Sequence, residues 1–155
     1  MIRLSTRLVE GAVAADLAAA SKSDLLSRLS VIAAEQYVLD AHVVLDGLIE
    51  RERLGPTGFG GGTAIPHCKV SGIDMPVAVF ARLGKPVPYD AVDDEPVDLV
   101  CALISPAQDG ASHLRALAEV SRLFRDEKVR AQLRGAADAA AMFALLTLSE
   151  ERDAA

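Results

Sequence analysis

A glycine-rich stretch leading to a histidine contains the residues best suited to chemistry. Four glycines lie within positions 58–62, namely Gly58, Gly60, Gly61 and Gly62. Such a run lets the backbone turn tightly and expose its N–H groups to an anion. Pro66 fixes its own φ and favours an extended residue before it, which predicts a stiff approach to His67. Near pH 7 an imidazole is either an uncharged nucleophile or a cation, so the pattern indicates phosphate chemistry.

A longer motif surrounds this histidine between Leu48 and Lys69. Its elements are Arg51-Glu52, Thr57-Gly58 and Ile65-Pro66-His67, and His113-Leu114 follows later with Leu117 at helical spacing. The motif resembles the active-site signature of the fructose/mannitol-type Enzyme IIA family of the bacterial phosphoenolpyruvate phosphotransferase system. It is most similar to the nitrogen-regulatory branch of that family. The resemblance covers most of the chain and is densest between residues 48 and 125.

The resemblance implies a role for each of these side chains. His67 would accept a phosphoryl group on one ring nitrogen, while the other donates to a backbone carbonyl and fixes the tautomer. His113 and Arg51 would stabilise the phosphoryl oxygens, and Thr57 would add a hydroxyl donor. Each role has an alternative. His67 could be a structural histidine at the end of a strand, and His113 a partly exposed residue at a helix start. Arg51 could be a solvated cation at a helix end.

The sequence departs from the family pattern at two positions. Pro56 stands where the family usually has serine, so one hydroxyl is missing from the motif. Cys68 stands where glycine is usual after the histidine. It is interpreted as a tolerated small residue, with a redox-sensitive thiol of lowered pKa as the alternative.

No metal, nucleotide or other cofactor is expected at this motif. Adjacent side chains on an extended segment point to opposite sides, so His67 and Cys68 could not easily share a metal ion. The glycine run lacks the Gly-Lys-Ser/Thr ending of a nucleotide-binding loop.

Composition restricts the class of protein further. The 155 residues fit one domain, expected over 1–150, with 151–155 as a frayed tail. A net charge of −6 argues against binding to nucleic acid or to an anionic membrane surface. No apolar run approaches the ~20 residues of a membrane span, and two cysteines fit a reducing compartment. We therefore expect a cytoplasmic protein that is not embedded in a membrane.

The order of predicted elements indicates the fold class. Helices are predicted after the N-caps Ser21 and Asp40, and strands over 77–83 and 97–104. Ser112 is predicted to cap the helix that carries His113, and two further helices are predicted over 126–133 and 136–148. Residues 2–4 give a weak strand signal, and residues 13–20 are ambiguous. The alternation predicts a single-domain α/β sandwich with helices on both faces of a central sheet. The resemblance implies that this sheet is mixed.

The predicted function is that of a phosphoryl carrier with a regulatory role. Its partners would be a phosphorylated HPr-like carrier protein and a downstream regulatory target or Enzyme IIB. Docking is expected on an apolar rim that includes Phe59 and Ile65. Two alternatives remain open: a sugar-transport Enzyme IIA that passes phosphate to a separate IIB protein, and a non-catalytic module that senses phosphate.

Overall fold

The computed structural model describes residues 6–154, with side chains described for residues 6–147. The weak strand signal at residues 2–4 lies outside this part of the chain. In chain order, the described elements are a 3-10 turn Glu10–Ala12, β1 Val13–Leu17, α1 Lys22–Tyr37, α2 Ala41–Leu54, β2 Gly58–Gly60, β3 Thr63–Ala64, β4 His67–Val70, β5 Val77–Val87, β6 Val97–Pro106, α3 Gly110–Arg125, α4 Glu127–Gly135 and α5 Ala139–Ala154.

The strands form one mixed sheet in the order β1-β5-β6-β3-β2, and β4 also pairs with β6. β5 and β6 are antiparallel, whereas β1 is parallel to β5, and both β3 and β4 are parallel to β6. The central strand β6 is buried at every position except Asp98, which is half-buried. A strand covered on both faces explains its unbroken apolar run.

Helices cover both faces of the sheet, as predicted. Alternate residues of β5 point to opposite sides, so Val79 packs into one core cluster and Phe80 into another. The Val79 cluster contains Leu29 of α1 and Leu48 of α2. The Phe80 cluster contains Phe124 of α3, together with residues of α4 and α5. The α/β sandwich with a central mixed sheet is therefore confirmed.

Most helix starts follow from short polar side chains. Ser21 accepts from the N–H of Asp24, and Asp40 accepts from the N–H groups of His42 and Val43, as predicted. The prediction that Ser112 caps the next helix is wrong. Asp109 is the cap, because its carboxylate accepts from the Ser112 N–H at 3.0 Å, and α3 begins at Gly110.

The last two helices differ slightly from the predicted bounds. Asp126 caps α4, which continues to Gly135, so Ala136 becomes its C-cap and not the start of α5. The carboxylate of Asp138 accepts from the Ala141 N–H at 2.8 Å and sets the start of α5 at Ala139. Within the described residues, none of the helices combines the length and apolarity needed to cross a bilayer.

Candidate functional site

Backbone hydrogen bonds fix the segment that leads to His67. This histidine is the first residue of β4 and lies opposite Leu103 of β6. Ile65 donates its N–H to the Thr57 carbonyl at 3.0 Å, and Leu103 donates to the Pro66 carbonyl at 2.9 Å. The predicted stiff approach to this histidine therefore consists of a proline flanked by two backbone hydrogen bonds.

The contacts of the His67 ring assign its tautomer. Nδ1 lies 2.7 Å from the carbonyl oxygen of Ile65, which can only accept, so Nδ1 carries the proton. Arg51 donates from Nε to the bare Nε2 at 3.2 Å. Burial lowers the pKa of His67, although the Ile65 carbonyl opposes this, and the Arg51 cation lowers it further. The ring is therefore neutral near pH 7, with its lone pair on Nε2.

A second neutral histidine lies beside the first. His113 is in the first turn of α3, and its ring centroid is 5.4 Å from that of His67, at an interplanar angle of 45°. Its Nδ1 is 2.6 Å from the hydroxyl of Ser105. Burial lowers the pKa of His113 to about 4, and the charges that can develop on His67 and Lys69 act in the same direction. The site thus contains two adjacent imidazoles that are both uncharged near neutral pH.

Arg51 links the end of α2 to the histidine. Its Nη1 donates to the Gly55 carbonyl at 2.9 Å while its Nε contacts His67. The structure therefore brings the three predicted catalytic residues, His67, His113 and Arg51, into one cluster. Arg53 is different, since it is exposed and pairs with Glu50 at 2.8 Å.

The buried carboxylate of Glu52, for which no role was predicted from the sequence, supports this arrangement. Glu52 accepts from the N–H of Thr57 at 3.2 Å, from its hydroxyl, and from the hydroxyl of Tyr89 at 2.9 Å. Lys22 forms an ion pair with Glu52 at 2.7 Å, and its ammonium lies 4.5 Å from the Tyr89 ring centroid. The sequence signal that could have pointed to Glu52 was its position next to Arg51 in the motif. Lys22 and Tyr89 gave none, because they are distant in sequence.

Thr57 belongs to this internal network. Its hydroxyl contacts both Glu52 and Tyr89, and the residue is buried. These contacts hold the segment after α2 in place, and they use the hydroxyl that was predicted to donate to a phosphoryl group.

The glycine run forms a tight hairpin between β2 and β3. Gly61 and Gly62 have φ angles of 63° and 78°, values that favour glycine at a turn. The Gly61 N–H donates to Asp93 at 3.0 Å, and its carbonyl accepts from Arg134 at 2.7 Å. At Gly58, a Cβ would lie 2.7 Å from Cα of Ala91, so a side chain there would meet backbone.

The hairpin turn lies away from the two histidines. Thr63 pairs with Leu99 and His67 with Leu103, so the two are separated by about 13 Å along β6. This corrects the expectation that Gly60, Gly61 and Gly62 form an anion-binding loop beside His67. The physical reason is that the glycines turn the chain into β3 before β4 starts, and the Gly61 N–H is already paired.

Cys68 points to the other side of β4 from His67. A Cβ on Gly47 of α2 would lie 2.9 Å from the Cys68 Cβ, so two small residues allow the helix to approach the strand. Burial raises the pKa of the thiol to about 12. The interpretation as a small packing residue is supported, and the alternative of a thiol with lowered pKa is wrong. Among the described residues, no group of three or more His, Cys, Asp or Glu side chains could hold a metal ion.

Residues 8–148 match the family described as "Phosphoenolpyruvate-dependent sugar phosphotransferase system, EIIA 2". The chain belongs to this family. The Nitrogen regulatory protein of Bradyrhizobium diazoefficiens is 41% identical over 128 residues, covering 83% of this chain and 84% of that protein. The Nitrogen regulatory protein of Pseudomonas aeruginosa is 36% identical over 147 residues, covering 94% and 96%. These matches confirm the resemblance to Enzyme IIA and its nitrogen-regulatory branch.

The fold of this EIIA 2 chain also matches a solved relative. The crystal structure of Nitrogen Regulatory Protein IIA-Ntr from Neisseria meningitidis superimposes with a TM-score of 0.84 and 30% sequence identity. The match covers 90% of this chain and 95% of that one. The similarity therefore extends over nearly the whole α/β sandwich that positions the histidine pair.

Proposed function

We propose that this EIIA 2 chain is a phosphoryl carrier in a nitrogen-type phosphotransferase system, with Nε2 of His67 as the acceptor. The donor is a phosphorylated HPr-like carrier protein. The observation that carries the proposal is the bond between Nδ1 of His67 and the Ile65 carbonyl, which leaves the lone pair on Nε2. A neutral, oriented imidazole is what attack on phosphorus requires.

In the proposed step the Nε2 lone pair attacks phosphorus in line with the donor's leaving atom. A nitrogen–phosphorus bond forms, the bond between phosphorus and the donor breaks, and its electron pair stays on the donor. No proton has to move on His67, because Nδ1 keeps its hydrogen throughout. Most of the catalysis is then positioning and stabilisation of charge on the transferring oxygens.

Arg51 and His113 supply that stabilisation in the proposal. The Arg51 N–H that now contacts Nε2 turns to the phosphoryl oxygens once the lone pair forms the new bond. A guanidinium can hold two such oxygens at once. His113, whose ring is 5.4 Å from His67, provides a neutral donor on the other side.

An exposed apolar side chain beside the pair offers a contact for the donor protein, since Leu114, next to His113, is 68% exposed. Phe59, the other residue expected on this rim, is 36% exposed, but it lies on the hairpin away from the histidines. Arg125, whose guanidinium is 6.0 Å from the Phe59 ring centroid, is at the opposite end of α3 from His113. The expectation that Ile65 belongs to this rim is wrong, because its side chain is buried in the core cluster that contains Phe80. A phosphoryl group adds about 1.5–2 negative charges next to this surface, so the two states of the protein differ in which partners they attract.

Transfer of labelled phosphate tests the proposal. The purified chain is incubated with Enzyme I, HPr-like carriers and labelled phosphoenolpyruvate, with an authentic nitrogen regulatory protein as positive control. We expect acid-labile label that disappears in His67→Ala and persists in His42→Ala, since His42 lies on the exposed side of α2. Label that survives in His67→Ala would contradict the proposal.

The same assay distinguishes the alternatives. A chain that stays unlabelled while the positive control is labelled would favour the non-catalytic module. Rapid loss of label to an added Enzyme IIB protein would favour sugar transport. Retention of label in its presence, with pull-down of a regulatory protein by only one phosphorylation state, would favour the nitrogen-type role. The high identity to two nitrogen regulatory proteins supports that last outcome.

A further inference from the structure

The hydroxyl of Ser105 contacts the ring of His113 inside the protein. Ser105 is on β6, opposite Lys69 of β4, and is fully buried. Its Oγ lies 2.6 Å from Nδ1 of His113. The motif that identifies the site does not include this serine, and it lies eight residues before the histidine that it contacts.

The surroundings of the Ser105 hydroxyl indicate that it is the donor in this pair, and a separation of 2.6 Å is compatible with that direction. Among the described residues, the structure gives the Ser105 hydroxyl one hydrogen-bond partner, Nδ1 of His113. If Nδ1–H donated instead, the hydroxyl proton would be buried without an acceptor, which costs free energy.

We propose that Ser105 is a positioning residue that donates to Nδ1 of His113 and thereby keeps the His113 proton on Nε2. The two histidines are then held in opposite tautomers. His67 has its proton on Nδ1 and a lone pair on Nε2, because the Ile65 carbonyl can only accept. His113 has the reverse arrangement, because a hydroxyl can donate.

The consequence for transfer rests on the proposed function. Phosphoryl oxygens only accept hydrogen bonds, so a neutral His113 stabilises them solely when its free nitrogen carries a proton. A bare Nε2 would place a lone pair against the phosphoryl oxygens. Ser105 therefore selects the tautomer in which the second histidine acts as a donor, and His67 remains the nucleophile.

The tautomers can be read directly from the wild-type protein. Long-range nitrogen–hydrogen correlation spectra of the ¹⁵N-histidine-labelled chain at pH 7.5 report which nitrogen of each ring is protonated. We expect Nε2–H for His113 and Nδ1–H for His67, with exposed His42 as the reference for a solvated ring. A protonated Nδ1 on His113 overturns the proposal, and this measurement requires no variant.

Substitutions then test whether the bond matters for transfer. In Ser105→Ala we expect the tautomer signals of His113 to move toward those of His42, and the rate of phosphoryl transfer to His67 to fall roughly threefold to tenfold. Ser105→Thr, which retains the hydroxyl, should restore both. Ser30→Ala is the matched control, because it removes another buried hydroxyl, one that donates to the Leu26 carbonyl on α1. Unchanged signals in a folded Ser105→Ala protein, or an unchanged rate, overturn the role of Ser105.

The two readouts separate this inference from the proposed function. Should the wild-type chain take no phosphate, the proposed function fails, and the spectra still decide whether Ser105 sets the tautomer. Should phosphate transfer occur while His113 has its proton on Nδ1, the proposed function stands and the role of Ser105 fails.

Discussion

Two neutral histidines lie in contact at the site, and different hydrogen-bond partners give them different capacities. The carbonyl of Ile65 accepts from His67 and leaves Nε2 bare, whereas His113 contacts a hydroxyl. Arg51 is the cation in contact with the bare nitrogen. The reactivity of the pair therefore follows from which ring nitrogen carries each proton and from the direction in which the Arg51 guanidinium can turn.

Replacing Arg51 by lysine tests the guanidinium. We expect Arg51→Lys to slow phosphoryl transfer by roughly ten- to hundredfold with the fold intact, because an ammonium cannot hold two oxygens in the same geometry. Single-turnover labelling measures the rate. Arg53→Lys is the control, since Arg53 is exposed and pairs with Glu50. Equal rates for Arg51→Lys and the wild-type chain would remove Arg51 from the site.

At the scale of elements, the end of α2 is fixed by the buried Glu52. Its carboxylate ties the helix to Thr57, Tyr89 and Lys22, which belong to three other parts of the chain. Because Arg51 precedes Glu52, the same contacts determine where the guanidinium lies. A buried charge with this many partners is costly to disturb.

We therefore expect Glu52→Gln to lower the free energy of unfolding by roughly 2–4 kcal/mol, because it leaves Lys22 without its ion pair. Phosphoryl transfer should slow as well, since Arg51 loses its support. Urea denaturation measures the first effect. Glu50→Gln is the control, because Glu50 is exposed and its pairing with Arg53 contributes less than about 1 kcal/mol. Equal losses in the two variants would contradict the role of Glu52.

The glycine hairpin provides a second prediction at this scale. Gly58→Ala places a Cβ against the backbone of Ala91, which cannot move aside cheaply. We expect a loss of about 1–3 kcal/mol in the free energy of unfolding. Gly110→Ala should cost nothing, because a Cβ at Gly110 in the first turn of α3 would meet open space. A Gly58→Ala protein as stable as Gly110→Ala would show that the hairpin can shift.

Many of the helices and strands were predictable from the sequence, because the signals that mark them are local. The apolar run of β6 and the caps Ser21 and Asp40 depend on neighbours in the chain. The predicted start of α3 was wrong because Asp109 and Ser112 are both good caps, and backbone geometry decided between them. The glycine run was misplaced because its pattern predicts a turn but not which strand follows. The networks of Glu52 and Ser105 were missed because they join residues distant along the chain or outside the motif.

At the scale of the whole molecule, the site lies where the two helical layers meet at the edge of the sheet. Within residues 6–154, β4 pairs only with β6, so His67 is on an outer strand. α2 brings Arg51 from the layer on one face, and α3 brings His113 from the layer on the other. This position lets both layers contribute a side chain to the site, and His67 itself is half-buried.

Burying two neutral histidines also makes stability depend on pH. Their folded pKa values are lowered, so below about pH 6.5 the unfolded chain binds protons that the folded chain does not. Stability is therefore complete above pH 6.5 and is lost progressively toward the folded value, about 4 for His113.

We expect the free energy of unfolding to fall by on the order of 1 kcal/mol from His113 alone between pH 7.5 and pH 5. Urea denaturation of the wild type and of His113→Gln at both pH values measures this. The acid-induced loss should be smaller in the variant. His42→Gln should behave as the wild type, because His42 lies on the surface. An identical loss in His113→Gln and the wild type would show that His113 is not buried in its neutral form.

The ring nitrogen that bonds phosphorus can be identified by NMR. After enzymatic phosphorylation of the ¹⁵N-histidine-labelled chain, nitrogen–phosphorus correlation identifies the bonded atom. We predict that phosphorus is bonded to Nε2 of His67, and that Nδ1 keeps its proton and its bond to the Ile65 carbonyl. Phosphorus on Nδ1, or on any residue other than His67, would contradict the account.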